Sequence, residues 1–133
     1  MGAGRLNLLL DTHALLWWLT DDPKLSPVAR KAILNPTHTV WVSAASAWEL
    51  ATKARLGKLD QAKALLQSFD AMMNEEGFQH LPISHHHALH AGNLASNHRD
   101  PFDRMLASQA EIEGYTLVSS DPAFTLFPIQ TLW

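Results

Sequence analysis

Short apolar runs along the chain alternate with longer stretches in which apolar residues recur every three or four positions. Leu6–Leu10 (LNLLL) predicts a buried strand ending at Asp11-Thr12, and a helix over Thr12–Leu19 carries Ala14, Leu15, Trp18 and Leu19 on one side. Asp21-Asp22-Pro23 predicts a turn, and Ser26-Pro27 starts a helix to about Leu34 with proline at its first position. Asn35-Pro36 breaks that helix before a β-rich strand over Thr39–Val42. Ala44–Leu56 is strongly helical and stops at Gly57, a favourable residue just past a helix end. Leu59–Asn74 repeats Ala62, Leu65, Leu66, Phe69, Met72 and Met73 at helical spacing and predicts one further helix. The remaining expectations are a strand over Phe78–Ile83, a helix over Ser84–Ser96 and a helix over Pro101–Glu113 ending at Gly114. They continue with a strand over Thr116–Val118, a short turn or helix at Pro122–Phe124 and a last strand over Phe127–Leu132.

Strands alternating with helices of ten or so residues imply βαβ units, and hence a mainly parallel sheet. Right-handed crossovers place helices on both of its faces. The expected fold is a three-layer α/β/α domain occupying residues 1–133, with no internal repeat, low-complexity tract or long linker. In such a sheet ligands bind beyond the carboxyl ends of the strands, near the point where strand order reverses.

Composition narrows the chemistry. The chain of 133 residues is 47% hydrophobic and 17% charged, which excludes a disordered polymer. It has no cysteine, so neither disulfides nor thiolate ligands contribute, in keeping with a reducing cytoplasm. The apolar run before Asp11 is shorter than a signal peptide requires, and no run approaches a membrane span. A cytoplasmic protein without membrane association is expected. Net charge is −3 and the pI about 6.2, so any contact with nucleic acid must be local, transient or metal-mediated.

Asp11 directly follows the first strand, and Asp121 follows Val118-Ser119-Ser120 after a later one. Glu49 lies early in the helix after Thr39–Val42, and Asp100 and Asp103 open the helix that runs to Glu113. Each of these acids has a local explanation. Aspartate caps helix starts and complements the helix dipole, Ser46-x-x-Glu49 fits a capping box, and Asp100-Pro101-Phe102-Asp103 reads as a cap followed by the first three helical positions. Caps, however, do not require convergence. Several carboxylates meeting at one sheet edge repel one another unless a cation neutralises them. Such a cluster without sulfur favours Mg²⁺ or Mn²⁺, bound through oxygen and serving phosphate chemistry.

The motifs resemble those of a known family. LLLDTHALLWWL looks like the first motif of PIN domains, in particular of the VapC-type toxins of bacterial toxin–antitoxin pairs. VSAASAWELATKARLGKL resembles the second, and HRDPFDRMLASQAEIEGYTLVSSDPAF the third and fourth, in the same order over nearly the whole chain. The resemblance implies a PIN-like α/β/α fold and a Mg²⁺- or Mn²⁺-dependent endoribonuclease acting on RNA. It also implies frequent homodimers and a small antitoxin protein whose tail can block the site. Carried across by position, Asp11, Glu49, Asp103 and Asp121 are the acidic, metal-binding and catalytic set. Thr12, Ser43 and Ser119 match hydroxyl positions that support the pocket in some relatives. Asp100 competes with Asp103 within DPFD, and Asp103 is preferred because it opens the pattern D-R-M-L-A-S-Q-A. A cation-binding interaction module of the same fold that cleaves nothing remains the alternative.

Lys53 stands one helical turn after Glu49, either near a scissile phosphate or as an ordinary i,i+4 partner. Arg55, Lys58, Arg99 and Arg104 are candidates for a basic rim, with solvated surface charge as the competing account. In His85-His86-His87 with His90, only His86 and His90 have ligand spacing, and a polar helix start explains the run better than a metal site. His13 and His98 lie beside the acids in sequence, and a supporting role suits them. Of the adjacent Trp17 and Trp18, one is expected to face outward and form a dimer or antitoxin contact.

Overall fold

Leu8, Leu9 and Leu10 are fully buried, and they form most of the central strand β1 (Asn7–Leu10) of a five-stranded sheet. The computed structural model describes residues 4–133, so the first three positions of the expected 1–133 domain lie outside the described residues. The other strands are β2 (Thr39–Ser43), β3 (Gln79–Leu81), β4 (Thr116–Val118) and β5 (Thr131–Leu132). Their order is β3-β2-β1-β4-β5, and every adjacent pair is parallel. The chain builds outward from β1 to β3, then returns to add β4 and β5 on the other side. Strand order therefore reverses between β1 and β4.

Alternation along the strands divides the core into two layers. Leu8 and Leu10 pack with Val40, Val42 and Val118 under α1 (Thr12–Leu19), α2 (Pro27–Leu34), α3 (Ala44–Arg55), α4 (Asp60–Gln67) and α5 (Phe69–Glu76). Leu9 and Leu117 face the other way, onto Leu106, Ala107 and Ala110 of α7 (Pro101–Glu113) and Phe124 of a 3-10 turn over Pro122–Leu126. Ahead of α7, α6 (His85–Asn93) packs mainly on α7 itself. This is the expected three-layer α/β/α arrangement.

The structure differs from the sequence expectation at four elements. Leu59–Asn74 is not one helix: Ser68, at φ −128° and ψ 30°, interrupts it between α4 and α5. Hydrophobic spacing carries across the break because Ala62, Leu65, Leu66, Phe69 and Met73 all still meet one core. The third strand is shorter than Phe78–Ile83, ending at Leu81 before Pro82. The helix expected to reach Ser96 stops at Asn93, where Leu94 turns extended at ψ 135°. The last strand begins at Thr131 rather than Phe127, since Pro128 has no amide hydrogen to donate to a ladder.

Two surface expectations also change. Trp17 and Trp18 are both half-buried. Trp17 packs on His13 and Trp133, while Trp18 meets Phe78 and donates to Glu76 at 2.5 Å. The outward tryptophan is Trp48 on α3, 59% exposed and edge-on to Phe102 at 4.8 Å. Arg104 is not free to form a basic rim. Its guanidinium donates to the carbonyls of Ala91, Gly92, Leu94, Ser96 and His98 at 2.8–3.4 Å. It thereby closes the end of α6 and shapes the loop leading to Asp100.

Lysine presents one ammonium where arginine presents a planar fork. Arg104→Lys should therefore lose about 2 kcal/mol of stability, read as a lower urea midpoint with unchanged slope. A loss below about 0.5 kcal/mol would mean that water serves these carbonyls equally well.

Candidate active site

The parallel sheet delivers three chain segments to its carboxyl edge, and each brings an acid. Asp11 leaves β1 with its backbone amide still bonded to the Val118 carbonyl at 3.1 Å. It caps α1, its Oδ1 accepting the Ala14 amide at 2.7 Å. Asp121 follows β4 across the strand-order reversal and caps the 3-10 turn by accepting the Ala123 amide at 2.9 Å. Glu49 lies in the second turn of α3, whose cap is Ser43. The capping box suggested by Ser46-x-x-Glu49 does not form, because Ser46 is already the third residue of the helix. Asp100 caps α7, accepting the Phe102 and Asp103 amides at 2.9 and 3.1 Å.

These acids line one cavity of about 100 Å³, together with Thr12, His13, Lys53 and Asp103. A larger hollow of about 370 Å³ beside Trp18, His38 and Phe78 shares no lining residue with it and carries no comparable constellation. The acidic cavity accommodates an ion with a few waters but no nucleotide. A polymeric substrate would have to lie across its mouth.

Inside, every carboxylate has a partner. Thr12 donates from Oγ1 to Glu49 Oε1 at 2.6 Å and sits 3.1 Å from the Ser46 hydroxyl. Lys53 Nζ meets Glu49 Oε2 at 2.6 Å. His98 Nε2 meets Asp103 Oδ2 at 2.8 Å. Burial pushes the Asp11 carboxyl up to about 6, a rise that the Ser119 hydroxyl, the Ala14 amide and His13 oppose and Asp103 reinforces. Burial also raises Asp103, against the pull of His98 and with the help of Asp100 and Glu49. Among the described residues no three acids or histidines stand close enough to form a closed ligand set. The donors are nevertheless all carboxylate oxygens in one small cavity, and that chemistry suits a hard divalent cation.

Of the residues singled out from the sequence, Asp11, Thr12, Glu49, Lys53, Asp100, Asp103 and Asp121 share this cavity. Ser119 stands beside it, its hydroxyl accepting the Asp121 amide at 3.0 Å and opposing the rise of the Asp11 carboxyl. Ser43 does not belong to it: its hydroxyl donates to Gln109 at 2.5 Å in the buried seam between α3 and α7. Sequence reasoning missed Ser46, which was assigned to a cap. It is fully buried against Thr12, and its place three residues before Glu49 was the signal. In the histidine run His85 and His86 are exposed at the start of α6. His87 is buried between the Ser84 amide and Glu113, and His90 pairs with Glu111.

Residues 8–128 match the sequence model of the family described as PIN domain. The chain belongs to the PIN-domain family. PIN domains are generally nucleases, hydrolases that typically depend on divalent metal. Among solved structures, the fold is similar to that in VapBC2 from Rickettsia felis bound to a DNA fragment from the promoter. That pair has a TM-score of 0.70 and 17% identity, covering 95% of this chain and 97% of the other. VapBC-1 from nontypeable Haemophilus influenzae gives 0.65 at 18% identity, covering 95% and 96%. FitAcB from Neisseria gonorrhoeae gives 0.66 at 20%, covering 93% and 95%. At these identities the likeness is one of fold. A search of curated protein sequences returned no match.

The raised Asp11 carboxyl fixes the sign of a pH effect. The folded state holds this proton more tightly than the unfolded chain, so ionising Asp11 removes stability progressively between about pH 4 and pH 6. Asp11→Asn keeps a capping side chain and should stabilise the metal-free PIN domain at pH 7 by about 1–3 kcal/mol. In chemical denaturation that gain should vanish below about pH 4; equal stabilisation at both pH values would contradict the burial argument.

Proposed function

We propose that this PIN domain is a Mg²⁺- or Mn²⁺-dependent endoribonuclease, the toxin of a type II toxin–antitoxin pair. The observation that carries the reading is the convergence of Asp11, Glu49, Asp103 and Asp121 on one cavity at the β1/β4 strand-order reversal. The match to a nuclease family supports it. So does the likeness of the motifs to VapC-type toxins, together with the fold shared with VapBC2 and VapBC-1.

Asp11, Asp103, Asp121 and Glu49 would hold the metal, with Asp100 supporting them from the cap of α7. Held there, a divalent cation would supply an activated water and neutralise charge on the attacked phosphate. The chain's own residues do the rest. Thr12 fixes one oxygen of Glu49 and Lys53 meets the other, which orients this carboxylate within the cluster. Ser119 and the Ala14 amide fix Asp11. The reaction is hydrolysis: water oxygen bonds to phosphorus, one phosphate ester bond breaks, and the departing oxygen takes a proton. The small cavity leaves the RNA outside it, and exposed Arg55, Lys58 and Arg99 are candidate cations for its backbone on a chain of net charge −3.

No helix among the described residues is long and apolar enough to cross a membrane, which agrees with the cytoplasmic location proposed for such a toxin. An antitoxin protein is the proposed partner, and its tail would compete with RNA for the cavity. The proposed homodimer contact is placed at exposed Trp48, which stands edge-on to half-buried Phe102, rather than at Trp17 or Trp18. An exposed tryptophan offers apolar area of the kind that protein contacts cover. Trp48→Glu should convert a dimeric sample to monomer in light scattering, and an unchanged mass would place the contact elsewhere.

The decisive test is cleavage of a mixed cellular RNA pool by purified, antitoxin-free protein in Mg²⁺, Mn²⁺ or EDTA. Discrete fragments are expected with either metal. They should be absent in EDTA and with Asp11→Asn, whose fold the denaturation experiment verifies. A folded protein that binds Mn²⁺ yet cleaves nothing would favour the cation-binding module instead.

A further inference from the structure

Among the described residues Lys53 is the only lysine or arginine lining the acidic cavity. Its ammonium meets Glu49 Oε2 at 2.6 Å, with 30% of the lysine side chain and 7% of the glutamate side chain exposed. The geometry is more than that of a surface i,i+4 pair. Glu49 cannot turn away, because its other oxygen is fixed by buried Thr12, which in turn contacts buried Ser46. The lysine reaches inward to a carboxylate whose cavity also contains Asp11, Asp100, Asp103 and Asp121. The other carboxylates have different partners: backbone amides for Asp11, Asp100 and Asp121, and His98 for Asp103.

Resting on the metal-dependent reading above, we propose that Lys53 is a resident counter-ion, holding Glu49 until a divalent cation displaces it and frees its ammonium for the RNA phosphate. Two cations cannot share one carboxylate oxygen at contact distance without strong repulsion. A metal that engages Glu49 Oε2 must therefore move Lys53. The flexible four-carbon stem permits this, and its compact ammonium is well suited to a phosphate oxygen. The exchange keeps the cluster neutralised in both states. It also makes lysine and metal competitors, so the presence of one weakens the hold of the other by linkage.

The test uses purified full-length protein and Mn²⁺ alone, without RNA. Lys53→Met removes the charge but keeps the stem, and Lys53→Arg keeps the charge. In calorimetric titration Lys53→Met should bind Mn²⁺ roughly threefold or more tighter than wild type. Its metal-free thermal midpoint should fall below wild type, and saturating Mn²⁺ should bring the two together. Lys53→Arg should follow wild type in both measurements. Equal Mn²⁺ affinity in Lys53→Met and wild type would overturn the counter-ion role while leaving the metal site intact. Failure of wild type and Lys53→Met alike to bind Mn²⁺ would overturn the metal-dependent reading as well. If Lys53→Met is poorly folded, the comparison passes to Lys53→Gln, for which the same tighter binding is required.

Discussion

Every strand in this sheet runs the same way, and the site depends on that single constraint. A parallel strand delivers the residue after it to the carboxyl edge, where the next helix starts with unpaired amides and a positive dipole end. Reversal of strand order between β1 and β4 opens a crevice there. Asp11 and Asp121 flank it, α3 brings Glu49 from the neighbouring connection, and α7 brings Asp100 and Asp103. An antiparallel partner for β1 would send one of these segments to the far edge and dismantle the cluster.

Convergence has an electrostatic cost. Asp11 is almost completely buried, and burial outweighs both its hydrogen bonds and nearby His13 in raising its carboxyl. Asp103 is raised by burial and further by Asp100 and Glu49, which is the mutual repulsion of a crowded edge. The fold tolerates this through local compensation by Lys53 on Glu49, His98 on Asp103 and Ser119 at Asp11. Arg104 contributes at one remove, since its bonds to five carbonyls fix the loop from which His98 and Asp100 project. Carboxylates held so firmly while disfavouring their own charged state have the chemistry that suits a cation.

Much of this was legible along the chain. Period-two and period-3.6 patterns located α1, α2, α7 and β4 closely, because those elements bury one clear face each. What escaped was decided by backbone conformation or by distant contacts. Nothing in the spacing of Ala62 to Met73 reports that Ser68 leaves the helical region. Arg104 looked like surface charge because its carbonyl partners come from a loop whose path sequence does not reveal. Ser43 and Ser46 exchanged roles for a similar reason. With the helix starting at Ala44 as its pattern predicts, Ser43 takes the cap and Ser46, in the first turn, becomes a buried partner of Thr12.

The acids themselves show why capping and function need not compete. Asp11, Asp100 and Asp121 do cap their helices, as their sequence contexts suggest. In Asp11 and Asp121 the backbone amides engage Oδ1. That bond fixes the side-chain rotamer, and with it the direction of the second oxygen. A flexible carboxylate would lose rotamer freedom on meeting a ligand, whereas a capped one has already lost it during folding. The local role therefore supplies the geometric precision that a shared ligand needs. The informative feature in the sequence was never any single aspartate, but the repetition of capped acids after successive strands that all point one way.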